Sequence, residues 1–562
     1  MFPQQPSHKS LLFMRSDPGR LAGPSLTGLY PLTLLLLGGG LFFWRLGSPG
    51  LMDPDEGRYA EIAREILLLN DWLIPHLNLL PYLEKPPLVY WLTAFSLAVF
   101  GLTEGAARLT PALSGLGGII WAYFFGRALW GPAPAFHGAF VLATCGGYII
   151  LSRLLTLDMT LTLFLNLAIG LGYLALSRPQ KRLWPWAYSA LALATLTKGP
   201  VALVLAGLIW VSWTLLERRP LRDLCCHPLG ILILVGVTLP WFLYVSWRYP
   251  PFLSFFLWEQ HLARFLTASI HHHQPFYYFF PVLLGLMLPW SFLLPWAAAR
   301  RPPQERSHHL FLTLWAGIIF LFFSLSRGKL APYILPALFP LALLLGHHLH
   351  HLRQNLSNPR NYRGFYLILA VWALLAWLLL AFLVWPPGLL LPLHQKAAIL
   401  SPILLYGLLI LAFTPTLTLI LKRPLLIFVG ALLLGTLIPD GMEKVSTLRS
   451  PKNLAATLIS QRQPGTPLVG VNFYSQALSF YTREVFHLLV FPTELDFGRR
   501  LIPDSPLFFS QPHDLAAFAA TQPLVFIFVQ EDTADLLRQW LSGDFRLLGR
   551  YKNCLLFSYK GK

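Results

Sequence analysis

Charge is scarce in this chain. Asp, Glu, Lys and Arg make up 12% of its 562 residues, against 55% that are hydrophobic. A water-soluble particle of that size cannot be covered by so few charges. Acids are the scarcer sign, 25 against 43 Lys and Arg, which leaves a formal net charge of +18. The excess is dispersed through short loops between apolar runs rather than gathered on one element. That excludes a nucleic-acid footprint and suits topology determinants beside anionic lipid heads. Cysteine is nearly absent: Cys145, Cys225, Cys226 and Cys554 show no metal-ligand spacing, and no disulfide framework is expected. No small-residue cleavage pattern follows the first apolar run, Leu29 to Leu46, so it does not read as a cleaved signal. No phosphate-binding glycine loop follows a strand-like segment, so no nucleotide is expected.

What the chain has is apolar length. Runs near bilayer-spanning length recur from residue 28 to 439, mean hydropathy is +0.56, and there are 41 Phe and 19 Trp. Backbone in lipid must satisfy its own hydrogen bonds, so the fold class is an all-α polytopic membrane protein. Lys9, Arg15 and Arg20 place residues 1–27 inside and the loop carrying Asp55 outside. The basic loops around Arg178–Arg182, Arg218–Arg222, Arg300–Arg306, His347–Arg363 and Lys422–Arg423 read as inside. Apolar segments at 157–176, 183–197, 201–216, 228–248, 276–298, 308–325, 332–352, 364–385, 397–421 and 424–439 alternate between them. One conflict arises. Three apolar segments, 86–101, 108–128 and 134–152, separate Asp55 from Asp158, yet Asp158 must be outward for Arg178 to be inside. One of the three is therefore expected not to cross, leaving about thirteen spans.

From about 440 the material changes. Short apolar runs, 467–471 and 524–529, are of strand length, and 532–541 is helical in pattern. The expected organisation is a membrane domain over 1–439, with a first outward loop at 47–85, and a small α/β domain over 440–562 on the outer face.

The polar residues the membrane would otherwise exclude collect in outward stretches: Asp55 to Tyr59, Tyr82 to Lys85, Asp158, Trp258 to Phe265, and Arg327 to Tyr333. Acids and cations at helix ends on one membrane face mark a functional site by default. The mixture suits a sugar phosphate, since Lys and Arg bind phosphate oxygens and a carboxylate takes a proton or a cationic substituent. A transporter would more naturally carry acids at mid-helix. Taken alone, the stretch DPDEGRY also suits a solvated loop with helix-capping acids.

These residues carry a resemblance. DPDEGRYAEIAREIL followed by DWLIPHLNLLPYLEKPPLVYW resembles the first external loop of the ArnT family, the lipid A aminoarabinose transferases. That family sits with protein O-mannosyltransferases in the GT-C superfamily. SRLLTLDMTLTLF, TLTKGP, WEQHLARF followed by QPFYYFFPVLLGLMLPW, and RGKLAPYILP are similar in family order. The resemblance implies a GT-C fold and transfer of a sugar, 4-amino-4-deoxy-L-arabinose, from undecaprenyl phosphate to lipid A. It places the site at the periplasmic face of a bacterial inner membrane, in a monomer. It implies Asp55 and Asp158 as catalytic acids, Lys85 on the carrier phosphate with Tyr333 nearby, and Arg58, Tyr59, Tyr82 and Lys198 lining the cavity, with Arg264 as a further phosphate ligand. It also implies that Glu84 and His261 hold a divalent metal, Zn or Mg. The chain departs from the family in KLAPY, where KLPTY is frequent, and in the run His271-His272-His273.

Other readings stay beside these. Glu84 can cap a helix, Lys85 can anchor at the interface, and Lys198 can be an ordinary helix-end lysine. His261 alone suits a surface histidine, and consecutive histidines on a helix do not converge on a metal. If the acceptor is a hydroxyl, Asp55 is the base; if it is a phosphate, Asp55 positions the acceptor or binds a cationic sugar group. A transferase for another sugar or acceptor, and a flippase for lipid-linked sugar, remain as alternative functions.

Overall fold

The apolar runs become helices, as backbone in hydrocarbon requires. The computed structural model describes residues 26–178, 180–224, 227–263, 274–299, 306–354, 359–384, 401–463, 465–489 and 493–561. Among them eight helices are long and apolar enough to cross a membrane, from Glu104–Trp130 to Leu426–Arg449. Two further spans are broken: Pro132–Ala143 with Gly146–Ser152, bent by 66°, and Phe276–Leu286 with Trp290–Ala298, bent by 108°. Each break frees backbone groups, and the two repair each other. The Gly146 amide donates to the Leu288 carbonyl at 2.8 Å, and the Trp290 indole donates to Thr144 Oγ1 at 2.9 Å.

Packing sets one of the three segments apart from the other two. Two large apolar clusters divide the molecule. One holds the membrane helices; the other joins the first outward loop to the carboxy-terminal domain. The helix Leu88–Phe100 contributes Val89, Tyr90, Ala94 and Leu97 to the second cluster and nothing to the first. Its 13 residues reach on the order of 20 Å, short of the hydrocarbon core. Glu104–Trp130 begins in the second cluster at Ala106 and Ala107 and enters the first at Ala112. The first broken pair brings the chain back, and Leu155 and Leu157 lie in the second cluster again. Residues 88–100 thus pack with the helix Asp55–Leu69 and the start of Glu104–Trp130, and Asp55 and Asp158 share one side.

The carboxy-terminal domain starts later than its composition indicates, because the helix Leu426–Arg449 runs through residue 440. Beyond it lies one six-stranded sheet in the order β5-β4-β3-β6-β8-β7. Its strands are β3 Leu468–Val471, β4 Phe486–Leu489, β5 Phe508–Phe509, β6 Val525–Gln530, β7 Gly543–Tyr551 and β8 Cys554–Gly561. β5, β4, β3 and β6 are parallel; β8 and β7 add an antiparallel edge. Helices Lys452–Gln461 and Gln476–Thr482 cover one face, against the first outward loop. Helices Pro512–Ala520 and Ala534–Trp540 cover the other. The sheet is therefore doubly wound, with its strand order reversing between β3 and β6.

Candidate active site

The site is built on the helix Asp55–Leu69, which lies under the carboxy-terminal domain rather than on a free surface. It buries Ala60, Ile62, Ala63 and Ile66 in the second cluster. Glu56, Glu61, Arg64 and Glu65 are buried too, and each has a named partner. Arg64 takes both oxygens of Glu61, at 2.7 and 2.8 Å. Glu65 accepts the amides of Asn78 and Leu79, at 2.7 and 2.9 Å. Both of those residues have left-handed φ, 52° and 59°, in the turn between β1 His76–Leu77 and β2 Leu80–Pro81. The carboxylate thus closes the hairpin that delivers Tyr82 to Lys85. Burial, with Glu61 close by, pushes the Glu65 carboxyl up to about 8.

Glu56 fixes the start of the helix. Arg108, fully buried, donates Nε to Glu56 Oε1 at 2.7 Å and Nη2 to Oε2 at 2.8 Å. Its remaining N–H groups go to the carbonyls of Leu46, Pro49 and Gly50. Glu56 also accepts the amides of Met52 at 3.1 Å and Leu155 at 3.0 Å. The last bond ties the first loop to the turn that presents Asp158. Two stretches about a hundred residues apart become one site through a single carboxylate.

Asp55 is half exposed and pairs through Oδ1 with Arg58. Arg58 is held from its other side by Glu494 Oε2 at 2.7 Å. Burial opposes the charge of Arg58, but Tyr82, Glu494, Tyr59 and Asp55 around it hold it above its ordinary value. Burial also lifts the Tyr59 phenol, whose charged neighbours are Arg58, Asp55, Asp158 and Glu84. Tyr82 donates to Glu84 Oε2 at 3.0 Å. The rings of Tyr59 and Tyr82 lie 5.8 and 6.5 Å from that of Tyr90. Lys85 is half-buried beside Glu84 in the same loop.

Asp158, in the first turn of the helix Leu157–Ser177, accepts Lys198 Nζ at 2.5 Å. The same ammonium stands 4.1 Å over the Tyr333 ring. Lys198 is thus the charge partner of Asp158 and not an ordinary helix-end lysine. Lys329 is buried and donates to the carbonyls of Gln274, at 2.9 Å, and Ser326, so it secures its own loop.

The structure brings together Asp55, Arg58, Tyr59, Tyr82, Glu84, Asp158, Lys198 and Tyr333, with Lys85 in the same loop. Arg264 and the run His271–His273 lie outside the described residues. His261 turns Nδ1 to the Phe256 carbonyl at 2.6 Å, with Nε2 3.4 Å from the Lys198 carbonyl. Glu84 accepts from Tyr82. Among the described residues no three of His, Cys, Asp and Glu are grouped to hold a metal. Glu84 and His261 would supply two ligands to a divalent metal, fewer than the four of a closed structural site. Two members of the cluster were not legible in the sequence. Glu494 lies in the carboxy-terminal domain, in no motif. Tyr90, fully buried with no partner for its hydroxyl among the described residues, reads in sequence as the start of an apolar helix.

Residues 84–244 match the family model of dolichyl-phosphate-mannose-protein mannosyltransferase. An undecaprenyl phosphate-alpha-4-amino-4-deoxy-L-arabinose arabinosyl transferase of Pseudomonas aeruginosa UCBPP-PA14 is 38% identical over 359 residues, 62% of this chain and 65% of the relative. A second, from Pseudomonas fluorescens Pf-5, is 37% identical over 56% of each chain. The matched stretch thus spans less than two thirds of these relatives' own length. The crystal structure of ArnT from Cupriavidus metallidurans bound to undecaprenyl phosphate superposes with a TM-score of 0.81 at 28% identity, covering 96% of this chain and 98% of that one.

Proposed function

We propose that this chain is a glycosyltransferase of the ArnT family that moves 4-amino-4-deoxy-L-arabinose from undecaprenyl phosphate to lipid A at the periplasmic face of a bacterial inner membrane. One observation carries the reading. Over nearly the full length of a fold shared with a carrier-bound relative, two acids from distant stretches meet beside one tyrosine, each already paired with a cation. An unpaired acid cluster would repel an anionic carrier. Here Arg58 pairs with Asp55 and Glu494, Lys198 pairs with Asp158, and Lys85 brings a further positive charge to the same loop to meet the phosphate.

The reaction is a displacement at the anomeric carbon. The bond from that carbon to the carrier phosphate oxygen breaks, and its electron pair leaves on the phosphate. Lys85 stabilises the charge that develops there, so no protonating acid is needed. A phosphate oxygen of the acceptor forms the new bond. It is largely ionised near neutral pH and requires no base. Asp55, with Arg58 fixing one of its oxygens, presents its carboxylate to the cavity and binds the ammonium group of the sugar. Asp158 holds Lys198 against Tyr333 and so shapes the wall of the cavity.

The test is transfer by the purified protein in lipid nanodiscs supplied with undecaprenyl phosphate-linked aminoarabinose and lipid A. Mass spectrometry of the lipid A should show a gain of one aminopentosyl unit. Intact donor together with unmodified lipid A overturns the reading, and transfer to a protein or glycan acceptor would redirect it.

A further inference from the structure

The carboxy-terminal domain has a crevice that the transfer chemistry does not use. A doubly wound sheet opens beyond the carboxyl ends of its strands where the strand order reverses, here between β3 and β6. A cavity of about 390 Å³ lies there, of a size that takes a small molecule. Asn472 and Gln530, at the carboxyl ends of the two strands, line it and are joined by a 2.8 Å hydrogen bond from Asn472 Nδ2. Lys552, from the β7–β8 turn, lines it as well. Its outer wall is Asp53 and Pro54, immediately before the catalytic loop acid.

In dinucleotide-binding folds this crevice cradles a phosphate on a glycine loop and a helix N-terminus. Here the loop after β3 reads Asn472-Phe473-Tyr474-Ser475-Gln476, with no glycine. The amide at the head of the following helix is already taken, since Ala477 N donates to Asp53 Oδ1 at 2.9 Å. Ser475 Oγ donates to Asp53 Oδ2. The chain's own carboxylate sits where a phosphate would. With Glu494 also lining the cavity, one lysine faces two acids, so an anionic ligand is disfavoured.

The other walls are amides and rings. Gln476 is 2% exposed; its Nε2 donates to Glu494, while its Oε1 has no partner among the described residues. The Tyr474 ring lines the cavity, while its hydroxyl is buried beside Ser479, Glu61 and Glu65. A buried amide oxygen without a partner is costly and marks a polar demand at this wall. Side-chain amides and a carboxylate match the paired donor and acceptor character of vicinal hydroxyls. Phe473 and Tyr474 offer apolar surface for the C–H face of a ring.

We infer that this crevice is a saccharide-binding subsite, taking a pyranose ring that bears hydroxyl and amino groups, docked against the wall that leads into Asp55. Two sources present that chemistry: the sugar of the glycolipid acceptor, in which case the inference rests on the transferase reading, and a soluble saccharide acting on the loop.

The probes are free glucosamine and inorganic phosphate, observed by saturation-transfer NMR on the full-length protein in nanodiscs, a readout that needs no turnover. Asn472→Gly keeps the left-handed backbone, φ 54°, while removing the amide; Gln530→Ala and Lys552→Met remove the other two contacts. Wild type should bind glucosamine and not phosphate, and each variant should weaken binding about tenfold, the scale of one hydrogen bond. If the source is the acceptor, KM for the glycolipid rises about tenfold in the same variants with kcat unchanged. If it is a soluble saccharide, KM stays and glucosamine shifts the melting temperature of wild type alone. Binding of phosphate in preference to glucosamine, or glucosamine binding equal in wild type and all three variants, overturns the inference whether or not the protein transfers a sugar.

Discussion

Arg108→Met is the most direct test of how the first loop is held. The substitution roughly keeps volume and removes the guanidinium. Glu56, 2% exposed, then remains as a buried carboxylate with only the amides of Met52 and Leu155, and the carbonyls of Leu46, Pro49 and Gly50 lose a donor. Breaking a buried pair by removing one partner costs about 3–5 kcal/mol. A stranded carbonyl costs about 1–3 kcal/mol where water cannot reach it, so the expected loss is about 5 kcal/mol or more. The internal standard is Lys452→Met. Its pair with Glu104 is also between charged groups, at 2.6 Å, but the lysine is half exposed, and such pairs contribute about 0–1 kcal/mol. Thermal melting of both variants in one lipid environment should show a large fall for the first and little change for the second. Adding Glu56→Gln to Arg108→Met removes the buried charge and should recover part of the loss. Equal melting of Arg108→Met and Lys452→Met would refute the assignment of Glu56 as the tie between the first loop and Asp158.

Asp55→Asn and Asp158→Asn should each abolish transfer while leaving the protein folded in the membrane, the second with a lowered melting temperature because Lys198 loses its partner; near-normal turnover in either removes it from the site. Lys85→Ala should lose about 2–4 kcal/mol of carrier binding or transition-state stabilisation, the scale of a charge-assisted contact in a sheltered site. Lys85→Arg should restore only part, because a planar fork does not reproduce a compact charge; wild-type activity in Lys85→Ala would make Lys85 an anchor. Cysteines placed at the exposed positions 258 and 327 should label from outside and one at 219 should not; labelling of 219 in intact cells would invert the topology. Burial raises the Asp53 carboxyl from 3.8 to about 6, against the opposing bonds from Ser475 and Ala477. The folded state therefore favours the protonated acid, and stability from this group is full below about 4 and is lost as pH rises through about 6. Asp53→Asn should accordingly gain on the order of 3 kcal/mol at pH 7.5 and little at pH 4.5; an equal effect at both pH values would show that its charge is not what matters.

The membrane class and the acid-bearing window were legible in the chain itself. Each depends on a local quantity: apolar length against bilayer thickness, or polar residues gathered in a short stretch between apolar runs. The strands at 468–471 and 525–530 could be read for the same reason, as short apolar runs between turns. Tertiary structure decided the rest. The segment 88–100 is apolar enough to look like a span, and only its packing against the helix Asp55–Leu69 and the start of Glu104–Trp130 sets it apart from the membrane cluster. Lys198 reads in sequence as a helix-end lysine, and only the fold sets it on Asp158 and Tyr333. Glu494 has no motif at all, yet it grips Arg58 from a separate domain. Local pattern reports what a residue can do to its neighbours in sequence. A charge pair spanning several hundred residues is set by which elements share a buried face, and a single sequence does not carry that information in any window.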